Sequence, residues 1–419
     1  MLPFLKRLAG SAQALALVLL PAAAAGQQTV DMPGEDRALA GQIEDLWSVG
    51  VAEGADHEMF SNVAAVAFDT DGYLYVADRD NGRVQVFDRD GSFVRQIGKK
   101  GQGPGELGQP LALTLTADGK IVVADVGRGA FSIFTRDGEF ERNVLFGAAV
   151  GPFVRQMHYH SGGGVVVPGA RFRFGGGGPG PGGGASEKQA ILHHDLAEGS
   201  EARVVYEADA PQMQVRTSGS ADNRTVMVSA PPVFAPDVDW AVLPGGGLIV
   251  SNGVEYAITV VSPDGQVSHR LARPIEARPV SEADREAARE QRRQAMSSGQ
   301  GMIRVEANNG NRSTSVGGSA SDAMIRRALE NMNFAETVPA IQDIETLPGG
   351  RIWVIRAPDA GVDAGPIDVI DADGTYRGTL PAGTTVPVAF ASDGRAAYIE
   401  RDEWDVAQVV VRRLPAAWR

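Results

Sequence analysis

Val66-Ala-Phe-Asp-Thr-Asp-Gly-Tyr-Leu-Tyr-Val-Ala-Asp78, followed by Asn81-Gly-Arg-Val-Gln-Val-Phe-Asp-Arg-Asp-Gly-Ser-Phe-Val-Arg-Gln-Ile-Gly98, decides the fold. β-Branched and aromatic residues run for a few positions, stop at Asp-Gly or Asn-Gly, and resume. Runs of that length and composition are strands, and turns of that chemistry join antiparallel neighbours. The stretch therefore reads as a four-stranded meander. Asp118-Gly-Lys-Ile-Val-Val-Ala-Asp125 and Phe131-Ser-Ile-Phe-Thr-Arg-Asp-Gly-Glu-Phe140 repeat it in the same order. Four weaker copies centre on the turns at Gly164, Gly247, Gly350 and Gly394. With Gly72 and Gly119 the spacings are 47, 45, 83, 103 and 44 residues. Periods of about 40–50 residues, interrupted twice by insertions, are the signature of a β-propeller, and six copies predict six blades.

The sixth copy has three evident strands before the chain stops at Arg419. A spare strand, Ile43-Glu-Asp-Leu-Trp-Ser-Val-Gly50, precedes the first blade. It is expected to supply the outer strand of blade six, so that both ends of the chain pair in one sheet and no ragged edge remains. The fold class is thus all-β: a six-bladed propeller with an N-terminal strand closing the last blade and a partly helical insertion between blades four and five.

Composition narrows the function. Hydrophobic content of 43% and charged content of 22% permit a sizeable core. A formal net charge of −13 with no basic tract argues against nucleic acid or an anionic membrane as partner. The absence of cysteine removes disulfides, thiolate metal sites and cysteine nucleophiles. Lys6 and Arg7, an apolar run through Leu20, and Pro21-Ala-Ala-Ala-Ala-Gly26 have the layout of a secretory signal peptide, too short in its apolar part to span a membrane. The sequence predicts a signal peptide over 1–26, a flexible segment over 27–41 and the propeller over 42–419. An exported chain without disulfides points to a bacterial periplasm or to secretion. The mature protein is expected as a soluble monomer.

Three insertions fall between strands on one face, conventionally the top. A glycine-rich stretch, 169–184, separates the second and third strands of blade three. Residues 209–237 join blades three and four, and 274–338 join blades four and five. In the last, Ser281 caps a predicted helix that ends near Met296. A second helix over 322–332 carries the stripe Met324, Ile325, Ala328, Leu329 and Met332. The 299–320 stretch between them reads as mobile. The stripe is expected to cap the top face around the channel, either as a docked decoration or as a lid.

The repeat resembles the NHL family of six-bladed propellers. Asp71-Gly-Tyr-Leu-Tyr-Val-Ala-Asp78, Asn81-Gly-Arg-Val-Gln-Val-Phe-Asp88 and Gly101-Gln-Gly-Pro-Gly-Glu-Leu107 carry the resemblance. It implies the fold; the architecture hosts binding scaffolds, lyases and lactonases alike. Repeat residues Asp78 and Arg83 are expected to pair between neighbouring blades.

Asn62, Arg155, Asp239 and Asp343 each sit near the start of an inner strand and so ring the top of the channel. Similar residue types hold a calcium-like ion in metal-dependent lactonases of the gluconolactonase type. His158 and His160, two apart on a strand, point to one side and could share a metal with Asp239 and Asp343. The loops between second and third strands add Arg128, Asn252, Glu255, Arg356 and Arg401 as a polar recognition surface. No cofactor is required by the sequence; a divalent cation, calcium or zinc, is the one it admits. The leading expectation is a non-catalytic module binding a glycan, peptide or protein through its top face. The alternative is a metal-dependent lyase or hydrolase, lactonase- or esterase-like, with its ion in the channel.

Overall fold

Each blade grows from the same turn chemistry. In the computed structural model, which describes residues 28–150, 154–170, 188–210, 215–220, 223–228, 231–297, 303–308, 311–316 and 321–419, the first hairpin turns at Asp69. Its carboxylate accepts the Tyr73 N–H at 2.8 Å, and the Gly72 N–H donates to the Asp69 carbonyl at 3.0 Å. Gly72 sits at φ +82°, which only glycine adopts without strain. A turn closed by a left-handed glycine is a standard hairpin connection with the twist that antiparallel strands need. The pattern recurs at Gly91, Gly119, Gly138, Gly246, Gly265, Gly350, Gly374 and Gly394.

Six blade sheets result, each built on four meander strands. Blade one is Val63–Phe68, Leu74–Asp78, Arg83–Phe87 and Phe93–Ile97; blade two is Pro110–Leu115, Ile121–Asp125, Ala130–Phe134 and Phe140–Leu145. Blade three is His158–Tyr159, Val165–Pro168, Lys188–His194 and Arg203–Asp209; blade four is Asp239–Val242, Leu248–Ser251, Ala257–Val261 and Val267–Ala272. Blade five is Ile341–Thr346, Arg351–Arg356, Ile367–Asp371 and Tyr376–Leu380. Blade six takes Ala389–Phe390, Arg395–Arg401 and Ala407–Arg413 from the end of the chain and Glu44–Val49 from its start. The closing strand pairs antiparallel with Ala407–Arg413, Ser48 opposite Val410 and Val49 opposite Val409. The six-bladed ring and its N-terminal closure are as the repeat spacing predicts.

The middle strands are buried on both faces because each blade is sandwiched between two others. Six apolar clusters fill the six junctions. Tyr75 and Phe134 pack between blades one and two, Phe131 and Val165 between two and three, and Trp240 and Ile191 between three and four. Ile249 and Ile352 pack between four and five, Trp353 and Tyr398 between five and six, and Phe87 and Val409 between six and one.

Several expectations need correction. The segment expected to be flexible over 27–41 is anchored within its described residues: Gln28–Asp31 adds a fifth, parallel strand to the outer edge of blade four, opposite His269–Ala272, and Met32 is buried. Asp36 then bonds Arg273 at 3.0 Å and Arg356 at 2.6 Å, joining a buried network in which Arg273 meets Asp368 at 2.6 Å. Asp78 and Arg83 pair within their own hairpin, at 3.2 Å, rather than between blades; Arg83 also grips Asp56 and the Met59 carbonyl. Within 299–320, Ile303–Asn308 and Asn311–Val316 pair as a hairpin. The 1–26 leader and most of the glycine-rich 169–184 stretch lie outside the described residues.

The insertion between blades four and five holds helices α1 (Glu282–Ser297) and α2 (Asp322–Glu330). Its root is pinned. Arg278–Pro279 pairs with Thr337–Val338, and buried Asp284 accepts both terminal nitrogens of Arg278, at 2.7 and 2.8 Å. That contact and a bond from Ser281 hold the Asp284 carboxyl far below the usual range. The α2 stripe does not cap the channel. Ile325, Leu329 and Met332 face a groove shared with Arg289, Arg293 and Ser297 of α1, while Met324 stays exposed.

Asp125 is fully buried and accepts three backbone N–H groups, from Gly108 and Gln109 at 2.7 Å and from Gly127 at 3.1 Å. Asp125→Ala strands those donors and is expected to cost about 2–4 kcal/mol. Asp88→Ala, in an exposed turn, is expected to cost well under that. A shift of the urea midpoint at unchanged slope is the readout.

Candidate functional site

The loops at the two ends of the ring differ. At one end run the connections from first to second and from third to fourth strands, most of them tight hairpins; at the other run the turns between second and third strands and the crossings from blade to blade. The latter end is held rigid by the repeat aspartates. Asp78 accepts the N–H groups of Ser61 and Asn62 at 3.1 Å, just as Asp125 holds Gly108 and Gln109. Each aspartate thus ties the start of an inner strand to its neighbouring turn.

The inner strands contact one another around the axis. Blades four and five bring together three carboxyls there. Asp239 opens the inner strand of blade four on the side of Ala241, which packs toward blade five. Asp343 and Glu345 lie two apart on the inner strand of blade five, so they share a side. Burial, then repulsion from Asp343, Asp237 and Glu345, pushes Asp239 up to about 8. Burial and then Asp343 push Glu345 to about 8. Asp343 is raised by burial, partly offset by the Ile344 N–H at 2.8 Å. No basic side chain among the described residues pairs with these three. At neutral pH Asp239 and Glu345 are largely protonated, able to donate as well as accept hydrogen bonds.

The histidines do not join them. His160 directs Nε2 at the Gly246 carbonyl, 3.0 Å away, while its Nδ1 accepts the Gly162 N–H at 3.1 Å, so both ring nitrogens are occupied. His158 turns its ring onto Trp240, 5.3 Å between centroids, with Nε2 sealed and unpartnered; burial lowers it to about 4 and keeps it neutral. Of the four residues offered as metal ligands, only Asp239 and Asp343 converge. No three His, Asp or Glu among the described residues are arranged to hold a metal ion.

The expected polar surface is partly consumed by structure. Arg128 donates to the carbonyls of Gln102, Gly103 and Glu106 at 3.0–3.1 Å, clamping the crossing into blade two. Arg356 is drawn to Asp36 and Asp368. Asn62 serves through its backbone. Asn252 bonds the Val254 N–H at 3.3 Å, Glu255 stands 4.0 Å from Arg270, and Arg401 pairs with Asp405 at 3.2 Å. Arg155 is exposed at the entry to blade three.

What the residue types did not reveal is an apolar display on the same end. Val51, Val254, Val362, Val388 and Trp404 all lie in its connections and all are exposed. Trp404 is 77% exposed and Val388 49%. The tryptophan is presented on a fixed turn: Asp402 accepts the N–H groups of Trp404 and Val406, each at 2.9 Å. The usable signal was a tryptophan flanked by four charges in Arg401-Asp-Glu-Trp-Asp405, too polar a setting for a core residue.

The family described as a six-bladed β-propeller matches residues 53–142. No curated protein sequence matches the chain. Among solved structures the chain is similar to a protein of Bacteroides fragilis assigned as exported, at 11% identity over 93% of this chain and 100% of that one, TM-score 0.47. It is also similar to a streptogramin B lyase, 11% identical over 89% and 98%, TM-score 0.37, and to a gluconolactonase of Xanthomonas campestris, 12% identical over 89% and 87%, TM-score 0.35. Likeness at this level carries no argument about chemistry.

The raised carboxyls fix the sign of a pH effect. The folded protein holds protons that the unfolded chain has released, so stability falls as pH rises from the unfolded value, about 4, to about 8. The lowered histidines 158, 160, 193 and 194 act oppositely, adding stability as pH rises toward 6.5. Above pH 6.5 the carboxyl effect stands alone. Stability should fall between pH 6.5 and 8 by up to about 1.4 kcal/mol per pH unit for each protonated carboxyl. Glu345→Gln should flatten that slope in urea titrations at several pH values.

Proposed function

We propose that the protein is an exported binding module that docks a protein partner against the connections of blades four to six, without catalysis. The observation that carries this reading is the gathering of exposed apolar side chains at one end, with Trp404 held outward on a hydrogen-bonded turn. Tryptophan on a pre-organised loop ringed by polar residues is the commonest form of an interface anchor. The same end is acidic: Glu53, Glu255, Asp359, Asp363, Glu403 and Asp405 are exposed in its connections. The partner surface that fits has an apolar centre and a basic rim, whose charges speed encounter at low salt. Export rests on the layout of residues 1–26, and no helix among the described residues is long and apolar enough to cross a membrane. The NHL affinity rests on the motif residues 71–107 alone.

The metal-dependent lyase or hydrolase is supported by one feature, the three channel carboxyls. Its donors come from two blades only, and a cation would have to displace protons from groups held near pH 8. Metal analysis of the purified protein with a lactone and ester screen tests it; a bound cation together with turnover would establish that reading in place of ours.

A photo-crosslinking residue at position 404 is expected to trap a partner that the same residue at position 204, on the outer strand of blade three, does not. With that partner purified, Trp404→Ala should weaken binding at least tenfold, and raising salt should slow association. An unchanged dissociation constant for Trp404→Ala would refute the assignment of this end.

A further inference from the structure

Four of the six histidines of the chain lie in blade three: His158, His160, His193 and His194. Two of them, His160 and His193, meet edge to face at the seam with blade four, their ring centroids 4.8 Å apart. We propose that this pair is an acid-operated latch. Neutral, the two rings hold the seam shut; protonated, they release the first hairpin of blade three from blade four while the ring stays closed.

The hydrogen bonds require the neutral rings. His160 Nδ1 accepts the Gly162 N–H at 3.1 Å, so Nε2 carries the proton and donates to the Gly246 carbonyl, 3.0 Å away in the first hairpin of blade four. A second proton can enter only at Nδ1, where it ends the bond from Gly162. His193 Nε2 lies 2.7 Å from the Gly163 carbonyl and ties the same hairpin to the third strand. The seam is tight: a Cβ on Gly246 would stand 2.6 Å from Ser161 Oγ and 3.0 Å from His160 Nε2. His160 is 8% exposed and His193 7%, so water screens little of the repulsion between two charged rings.

The surroundings oppose a second charge. Burial is the main cause that holds both rings below the ordinary histidine value. For His160 the His193 ring follows, and Arg203, on the outer strand of blade three, lowers both. The Gly246 and Gly163 carbonyls act the other way, as does Asp195 on His193, without cancelling the burial. Asp195 is itself engaged by the Ala197 N–H at 2.9 Å. His194 extends the device toward blade two. Its Nδ1 accepts the Leu196 N–H at 3.1 Å, and its Nε2 is sealed without a partner. Leu196 sits at φ +61°, left-handed backbone that a leucine keeps only under constraint, and its carbonyl accepts Arg142 of blade two. His158, turned onto Trp240 in the same seam, stays neutral down to about pH 4, so milder acid acts through the other three. Because the folded rings bind protons less readily than the unfolded chain, the latch is complete above about pH 6.5 and is lost as pH falls below it.

Hydrogen exchange of the full chain at pH 7 and pH 5, corrected for intrinsic rates, tests the latch, with histidine titration by proton NMR beside it. From pH 7 to pH 5 the amides of Gly162, Gly163 and residues 165–167 should lose protection at least tenfold. Those of Arg351–Arg356 in blade five and of the closing strand Glu44–Val49 should change less than threefold. His160 and His193 should titrate below 6.5, at midpoints that coincide with the loss. The double variant His160→Gln, His193→Gln can still donate to both carbonyls but takes no proton, and its ratio of protection between the two pH values should fall below threefold. Reading the ratio separates the latch from any uniform weakening of the variant. No loss at pH 5, a loss shared equally by all blades, titration at or above 6.5, or an undiminished ratio in the double variant would each overturn the proposal. Should the double variant fail to fold, the native protein alone decides, by whether the loss is confined to the seam and follows the two titrations.

Discussion

The backbone ladder between Glu44–Val49 and Ala407–Arg413 is the contact on which the ring depends. The four core strands of every other blade are consecutive in the chain, with Gln28–Asp31 added at the edge of blade four; blade six alone needs both ends to complete its four. Without the closing strand, Ala407–Arg413 would present a row of unpaired N–H and C=O groups at an apolar edge. The contact also tightens the junction between blades six and one. Trp47 donates Nε1 to the Arg89 carbonyl at 3.0 Å, and buried Arg395 reaches the carbonyls of Gly72 and Arg89. A closed ring then fixes the relative positions of loops from different blades, and any surface built from several of them needs that.

The two ends of the ring exploit this rigidity differently. The hairpin end is short and dense in Asp, Arg and Gly, so its surface is set by tight turns. The other end receives the long crossings and insertions, so its surface is set by loops rather than by strand geometry. Buried aspartates recur beneath those loops because a carboxylate can hold several backbone N–H groups at once. The cost of burying the charge is offset only where the donors are complete. Where they are incomplete, as at Asp239 and Glu345, protonation replaces pairing.

The ring was legible because its determinants are local. An Asp-Gly turn and an alternating strand are both written within about ten residues, and a fixed period reveals their repetition. The closing strand was legible because one strand was spare and one blade was short. Asp239 and Asp343 were found by their position at the start of inner strands; Glu345 was not, although it stands two residues beyond Asp343 on the same side. Contacts distant in sequence stayed hidden. Nothing near Gln28 announces a parallel pairing with His269, and nothing near Arg356 announces Asp36. Arg128 looked like a recognition residue because a guanidinium clamped on carbonyls has the same composition as one facing solvent. Of the α2 stripe only Ile325 is buried; Leu329 and Met332 line a groove shared with α1, because the pinned root at Arg278 and Asp284 brings the two helices together.

Hydrogen exchange of the native protein measures the closing contact most directly. If the ring is shut by the N-terminal strand, the amides of Glu44–Val49 that pair with Ala407–Arg413 exchange as slowly as those of the buried strand Arg83–Phe87, and the edge strand Gln28–Asp31 exchanges faster. Exchange of Glu44–Val49 at the rate of an exposed terminus, with Ala407–Arg413 still protected, would contradict closure and with it the fixed loop geometry at both ends.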